Sequence, residues 1–464
     1  MADIRDIIDT GGRPARDIIA DLMEKSVSVP SWEGPHGLRR EYDPSLHPVM
    51  DKSVYPDAVE NGRVDRVTRV TLNFQKLAVR RMSELCCGTP IRRVYSPDGD
   101  MQQEAARLME RVYQRNRIDS VNVERLNMLF AGCEVATLWY AVEQPNKDYG
   151  IDSPLKLRCR NFSPMQGDQL YPFFDEWGDM VAMSIGYTRR VGAKGVNYFD
   201  AYTAYGHYKW EDQGSGWELV EQDDLTAVGK IPLAYMWRPT PIWEHTSGLV
   251  YEMEWALSRN GNYLRKNSKP LFCVFADEEI NYGGEKSPDA EFRSILQYPK
   301  GSTAGYVTWP QAVDNLKYHV TELRQSFFTQ LQLPDWSYES MKATPMSGES
   351  RKQLFIDAQL KVGDERGRIV EFLDREVNVV RRFLRLIAPH LAEAIDALPV
   401  ESIVTPYSIT EDKDVIENLV TANGNKPIMS QREAIARLGW SDDPDETLRE
   451  IAEESAVDAM NPAF

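Results

Sequence analysis

Residues 351–388 read RKQLFIDAQLKVGDERGRIVEFLDREVNVVRRFLRLIA. Leu354, Phe355, Ala358, Ile369, Val370, Leu373, Val377, Val380, Leu384 and Ile387 recur at mostly helical steps, which predicts one long helix with a single apolar face. Pro389 stops it. Gly363 and Gly367 sit inside, where each costs about 1 kcal/mol relative to alanine, and they mark a bend.

Just before it, residues 333–350 (LPDWSYESMKATPMSGES) show neither a helical nor a strand period and hold two prolines. This is a loop, and loops of this length without structure of their own are often functional. It ends where Glu349 and Ser350 offer a carboxylate and a hydroxyl to the free N–H groups of the helix start. Further back, Pro310 opens a helix over about 311–331. Residues 271–309 form a small mixed segment: a strand (LFCVFA), a loop around Gly283-Gly284, a short helix near 289–296 and a strand ending GYVTW. Before that, Ser247 is placed to cap a helix in which Leu249, Val250, Met253, Ala256 and Leu257 share a face, ending near Asn267 ahead of Pro270. The order is helix, small α/β insert, helix, loop, long helix.

Upstream the chain is β-rich. Glu134–Val142 is a strand. Gln169–Asp175 and Met180–Thr188 flank the hairpin signal Glu176-Trp177-Gly178-Asp179. Tyr198–Tyr205, His207–Glu211 and Trp217–Glu221 follow, the last two joined by Gln213-Gly214-Ser215-Gly216. A helical block precedes them, over about 72–88, 101–115 and 121–131. Residues 26–62 read as an irregular arm that packs by ring contacts, and residues 1–25 as a short helix pair broken at Gly11-Gly12 and Pro14. Beyond the long helix come a strand near Ser402–Ile409, helices near 411–422 and 430–438, and an acidic helix over 444–458.

With 464 residues the chain is too long for one ordinary core. Its 42% hydrophobic and 27% charged residues describe a globular protein. No stretch approaches the roughly 18 apolar residues of a membrane span. The first residues carry no apolar signal region, so a cytoplasmic site of synthesis and assembly is expected. The five cysteines, an odd number with no CxxC, make neither a disulfide framework nor a zinc site. The net charge of −17 excludes a protein that grips nucleic acid through a basic surface.

Catalytic motifs are missing: there is no phosphate loop of the GxxxxGK[ST] type, no GxGxxG after a strand, no HExxH and no GxSxG. The six histidines are scattered, with none at metal-ligand spacing, and are expected at the surface or in caps. Asp98-Gly99-Asp100 reads as a turn. The acidic run from Asp442 to Glu446 reads as a helix start. No catalytic residue, metal or cofactor is expected.

Five phrases in order resemble the portal proteins of tailed bacteriophages, the head-to-tail connectors of long-tailed phages. They are Asn73–Ile91 (NFQKLAVRRMSELCCGTPI), Gly229–Pro232 (GKIP) leading into a strand and then a helix, the helix pair around 271–309, Ser347-Gly348-Glu349-Ser350 before the long helix, and Ser430–Glu454. The resemblance covers about residues 60–455; the first 60 residues match nothing comparable.

The resemblance implies an α+β fold of portal type, with an α/β wing, a two-helix stem, a small α/β clip, a long kinked helix and a helical crown. Its parts would be an N-terminal arm (1–60), the wing (61–245), the first stem helix (246–270), the clip (271–309), the second stem helix (310–332), a tunnel loop (333–350), the long wing helix (351–400) and a C-terminal crown region (401–464). It implies a ring of about twelve copies at one capsid vertex of the virion, through which viral DNA is packaged and ejected. The partners would be double-stranded DNA passing without sequence specificity, the terminase motor, a neck adaptor, and the major capsid and scaffolding proteins. DNA-channel candidates are Lys342, Trp336 and Tyr338 on the loop and Lys317 and Arg324 on the second stem helix. Clip residues placed to meet partners are Asp277, Glu278, Glu279, Glu285, Lys286 and Asp289. An acidic or mixed bore suits sliding, because a polymer with one charge per ~1.7 Å sticks to a basic one. The competing readings are a phage-encoded hydrolase or nuclease without a signature, and another neck or minor capsid protein.

Overall fold

Two larger antiparallel sheets, of five and three strands, and a set of helices make up most of the described chain. The computed structural model describes Ile8 and residues 13–60, 63–192, 194–267, 271–275, 303–307, 313–335, 356–407, 430–432 and 447–453. The chain divides into two units, one made of residues 1–335 and 357–407, the other of 336–356 and 408–464. In the second unit the described residues are Ile356, 430–432 and a helical stretch over 447–453.

The elements of the first unit run α1 (Ala15–Leu22), α2 (Arg39–Tyr42), β1 (Ala58–Glu60), β2 (Arg63–Asp65), α3 (Phe74–Cys87), β3 (Arg92–Tyr95), α4 (Asp100–Arg115), α5 (Ile118–Gly132), β4 (Glu134–Asn146), β5 (Ser153–Phe162), β6 (Gln169–Phe174), β7 (Met180–Val191), β8 (Lys194–Thr203), β9 (Gly206–Asp212), β10 (Trp217–Asp224) and β11 (Leu233–Trp237). They continue with α6 (Ser247–Asn267), β12 (Leu271–Phe275), β13 (Thr303–Val307), α7 (Val313–Gln330), α8 (Ile356–Ile387), α9 (Ala392–Ala397) and β14 (Val400–Ile403).

Strands β10-β9-β8-β7-β6 form one sheet in simple hairpin order, and β11-β4-β5 form a second. Period-two alternation sends Met183, Ile185 and Tyr187 of β7 into one core with Ala136, Leu138 and Leu233 of the second sheet. Ala182, Phe199, Ala201 and Trp210 face the other way and are covered by Ile18, Ile19 and Leu22 of α1. The β6–β7 turn forms where its residues demand it: Asp175 Oδ1 accepts from the N–H groups of Trp177 at 3.0 Å and Asp179 at 2.8 Å, and Gly178 takes φ +85°. A third core lies between α4, α5 and α8, with Met109, Val112, Trp139, Val377, Val380 and Leu384.

Strands β12 and β13 pair antiparallel from Leu271↔Val307 to Phe275↔Thr303, between the helices α6 and α7. Helix, insert and helix therefore occur in the expected order. α8 is hydrogen-bonded as one helix through Gly363 and Gly367. A Cβ at either glycine would meet nothing within 4 Å, so no packing demands the small residue there.

Several expectations are corrected. Strand β14 starts at Val400, not Ser402, and pairs with β3 through Val400↔Tyr95 and Ile403↔Arg92, and residues 401–407 belong to the first unit. β3 and β5 carry too many charges to read as strands. The hydroxyl of Ser247 does not cap α6; it donates to Glu41 Oε2 at 2.7 Å. The arm at 26–60 does pack by rings, through Trp32–Tyr42–Trp243 and Tyr55–Trp255. The short helix at 289–296, the loop at 336–350, Leu354, Phe355 and most of the C-terminal helices lie outside the described residues.

Candidate functional site

Helix α6 holds the preceding chain by side chains rather than by a sheet. Glu254, Ser258 and Asn262 recur every four residues. They accept from the backbone N–H groups of Leu72 (2.8 Å), Val70 (2.9 Å) and Thr68, which recur every two. One helical step of four rises about 6 Å and one extended step of two about 6.6 Å, so the two registers match over three rungs. Arg265 Nη1 adds a bond to Arg66 O at 3.1 Å. Gly261 is needed there, because a Cβ would lie 2.8 Å from Thr68 Cγ2. Glu254 also binds His47 Nδ1 at 2.7 Å with both side chains fully buried, and His47 Nε2 donates to Glu41 O at 2.8 Å. His47 is thus a core residue, not the surface or capping histidine its sequence context suggests.

Helix α7 ends in a clamp. Phe327 and Phe328 are buried against Phe74 of α3. Gln332 takes φ +54°, and Leu333 N–H returns to Phe328 O at 3.0 Å, which closes the helix end. Arg81 donates to Pro334 O and stands 3.8 Å from Asp335. Arg324 binds Asp335 Oδ2 at 2.7 Å. From the other side Lys361 of α8 donates to Leu331 O. Burial first, and the charge of Arg238 second, push the Lys361 ammonium down to about 8.

Helix α8 is pinned by two buried carboxylates eleven residues apart, about three full turns and hence one face. Glu365 meets Arg238 at 3.0 Å and Arg368 at 2.9 Å. Glu376, fully buried, accepts from Arg125 at 2.8 Å, Arg93 at 3.3 Å and Trp139 Nε1 at 3.1 Å. Burial alone would raise its pKa, but the two arginines outweigh burial and hold it below the ordinary value of 4.5.

Of the expected channel residues, Lys317 is exposed on α7, and Arg324 is half-buried and committed to Asp335. Trp336, Tyr338 and Lys342, and the clip candidates Asp277, Glu278, Glu279, Glu285, Lys286 and Asp289, lie outside the described residues. The outer part of α7 carries Asp314, Lys317 and Glu322, mixed in sign, with Tyr318 68% exposed. The sequence reading missed Arg81, Asp335, Lys361, Glu365 and Glu376. The available signal was a charged residue in phase with an apolar helix face, as at 365 and 376.

A group able to hold a cation is His207 with Glu221 and Asp223, whose ligand atoms lie within 4.8 Å of one another. It is already engaged. His207 Nδ1 bonds Asp223 at 2.9 Å, and Lys209 Nζ sits 2.9 Å from Glu221. Burial would lower the His207 pKa, but the carboxylates of Asp200 at 3.8 Å and Asp223 at 2.9 Å outweigh it and raise it above 6.5. No described helix is long and apolar enough to cross a membrane.

Residues 37–459 match the family described as phage portal protein, SPP1 Gp6-like. No curated protein matches the sequence. Solved structures with similarity include a chain of the virion of a native gene transfer agent particle, at 12% identity and TM-score 0.37. A chain of the neck of the native particle, computed with C12 symmetry, gives 12% and 0.38. Each alignment covers 91% of this chain and 98% of the other.

Proposed function

The chain belongs to the SPP1 Gp6-like phage portal protein family, and from that membership we propose that its copies close into a ring of about twelve at one capsid vertex of a virion, through which DNA is packaged and ejected. The observation that carries this is the family match across residues 37–459. The helix–insert–helix order of α6, β12–β13 and α7, followed by α8, supports it. Ring closure needs head-to-tail contacts between two different patches of one chain.

In this reading the chain is a conduit and performs no catalysis. A net charge of −17 keeps duplex DNA from adhering, so contact is weak, independent of sequence and sensitive to salt. Lys317 on exposed α7 and Trp336, Tyr338 and Lys342 of the loop face the DNA. Arg324, further along α7, faces the DNA as well, with its guanidinium steadied by Asp335 at 2.7 Å. The acidic clip residues Asp277, Glu278, Glu279, Glu285 and Asp289, with Lys286, meet the terminase motor during filling and a neck adaptor afterwards. The capsid and scaffolding proteins surround the ring, and assembly takes place in the host cytoplasm.

Electron microscopy of the purified chain tests this: rings with a central hole are expected. A stable dimer under all conditions overturns it, and nuclease activity dependent on a divalent metal would replace it with the enzyme reading. Lys342→Glu then tests the channel. Its rings should look normal while packaged DNA falls; normal packaging removes Lys342 from the DNA path.

A further inference from the structure

Trp177 is 80% exposed, the most exposed large hydrophobic side chain among the described residues. It stands at the tip of the β6–β7 hairpin, whose turn is set by the two Asp175 bonds and Gly178. Its backbone is therefore fixed before any partner arrives, which lowers the ordering cost of docking. Three carboxylates flank it, Asp175, Glu176 and Asp179. A lone exposed indole on a preformed acidic tip is the composition of an interface anchor, since tryptophan is enriched among the residues that dominate binding.

The same chain carries a receptor of opposite character. A cavity of about 590 Å³ opens between β3, the end of α4 and the start of α5. Ile91 and Ile118, both buried, give it an apolar floor. Arg92 and Arg117 are exposed at its rim. Of its two carboxylates, Glu110 is engaged by Tyr95 Oη at 3.0 Å and Gln114 at 3.2 Å, and Asp119 lies in the first turn of α5. The volume falls in the ~300–1,000 Å³ range that accepts small ligands, ample for one indole.

We propose that the Trp177 hairpin tip of one copy docks into the Arg92–Arg117 cavity of the next copy in the ring. This rests on the ring reading above. The two patches differ, and within one chain no described contact joins them. A knob on one patch and a socket on another make a heterologous contact, the kind that propagates from copy to copy and closes into a ring. The charges match: Glu176 and Asp179 beside the indole meet Arg92 and Arg117 around the socket. Arginine at the rim also suits the indole face, over which a guanidinium is attracted by the ring electrons.

The test uses the full chain and reads assembly by mass measurement against concentration. Trp177→Ala and Arg92→Glu should each raise the concentration for half-assembly by roughly tenfold or more, with the melting temperature of the unassembled chain unchanged. Glu176→Arg should weaken assembly, and combining it with Arg117→Glu should restore it. A chain carrying Trp177→Cys and Arg117→Cys, concentrated above its own raised half-assembly point, should give on oxidation of the rings a ladder of covalent multimers beyond the dimer. A ladder that stops at the dimer, no cross-link within intact rings, or Trp177→Ala rings at the wild-type concentration overturns the contact and leaves the ring reading standing. Absence of rings from the wild-type chain overturns both.

Discussion

Replacing Glu376 by glutamine should destabilise this protein more than any single change on the solvent side of α8. The carboxylate is fully buried and receives Arg125 at 2.8 Å and Arg93 at 3.3 Å, with Trp139 donating at 3.1 Å. Glu376→Gln keeps the shape, removes the negative charge and turns an amide N–H₂ toward two guanidinium groups. Removing one partner of a buried ion pair costs about 3–5 kcal/mol. At ~2–4 °C per kcal/mol for mid-sized domains the melting temperature should fall on the order of 10 °C. The control is Glu371→Gln on the same helix. Glu371 is 62% exposed and, among the described residues, pairs with Arg375 one turn away, which is worth ~0.5 kcal/mol or less. Calorimetry of both variants decides the matter. The loss should also depend on pH. Because the folded pKa of Glu376 lies below 4.5, its contribution is present above that value and fades as pH falls through the folded pKa, so wild type and variant converge in acid. A Glu376→Gln loss no larger than that of Glu371→Gln would refute the pin.

The α6 ladder predicts that Ser258→Ala and Asn262→Ala each cost about 1 kcal/mol in denaturant unfolding, and that Gly261→Ala costs more than either because its Cβ meets Thr68 at 2.8 Å. Lys361, pushed down to about 8 from an ordinary 10.5, should make wild type gain stability relative to Lys361→Met as pH rises from 8 toward 10.5, since there the unfolded chain binds the extra proton. Burial pushes the thiols of Cys87, Cys133 and Cys159 up to about 12, so none of them should react quickly with a thiol reagent at pH 8 in the native protein. Val377→Asp places a charge at a position 3% exposed in the α4–α5–α8 core and should abolish soluble, assembled protein, read by yield and microscopy.

The sequence alone determined whatever depends on neighbours a few residues apart. The apolar face of α8, the Asp175–Asp179 hairpin turn and the order α6, insert, α7, long helix all follow from periods of 3.6 and 2 and from turn residues. The portal family was legible for the same reason, because its phrases are local and ordered. Tertiary structure alone decided the charged contacts and the long-range strands. Glu365 and Glu376 look like solvent-facing residues until Arg238 and Arg125, brought from 127 and 251 positions away, remove the cost of burying them. His47 and Glu254 meet across 207 positions, and β14 forms a two-stranded sheet with β3 although most of the described elements lie between them in sequence. The Arg324 guanidinium reads as an unpartnered charge in sequence, and only the folded end of α7 brings Asp335 to 2.7 Å from it. A charge carries no local mark of its partner; only the folded chain sets the distance and the dielectric that give it a role.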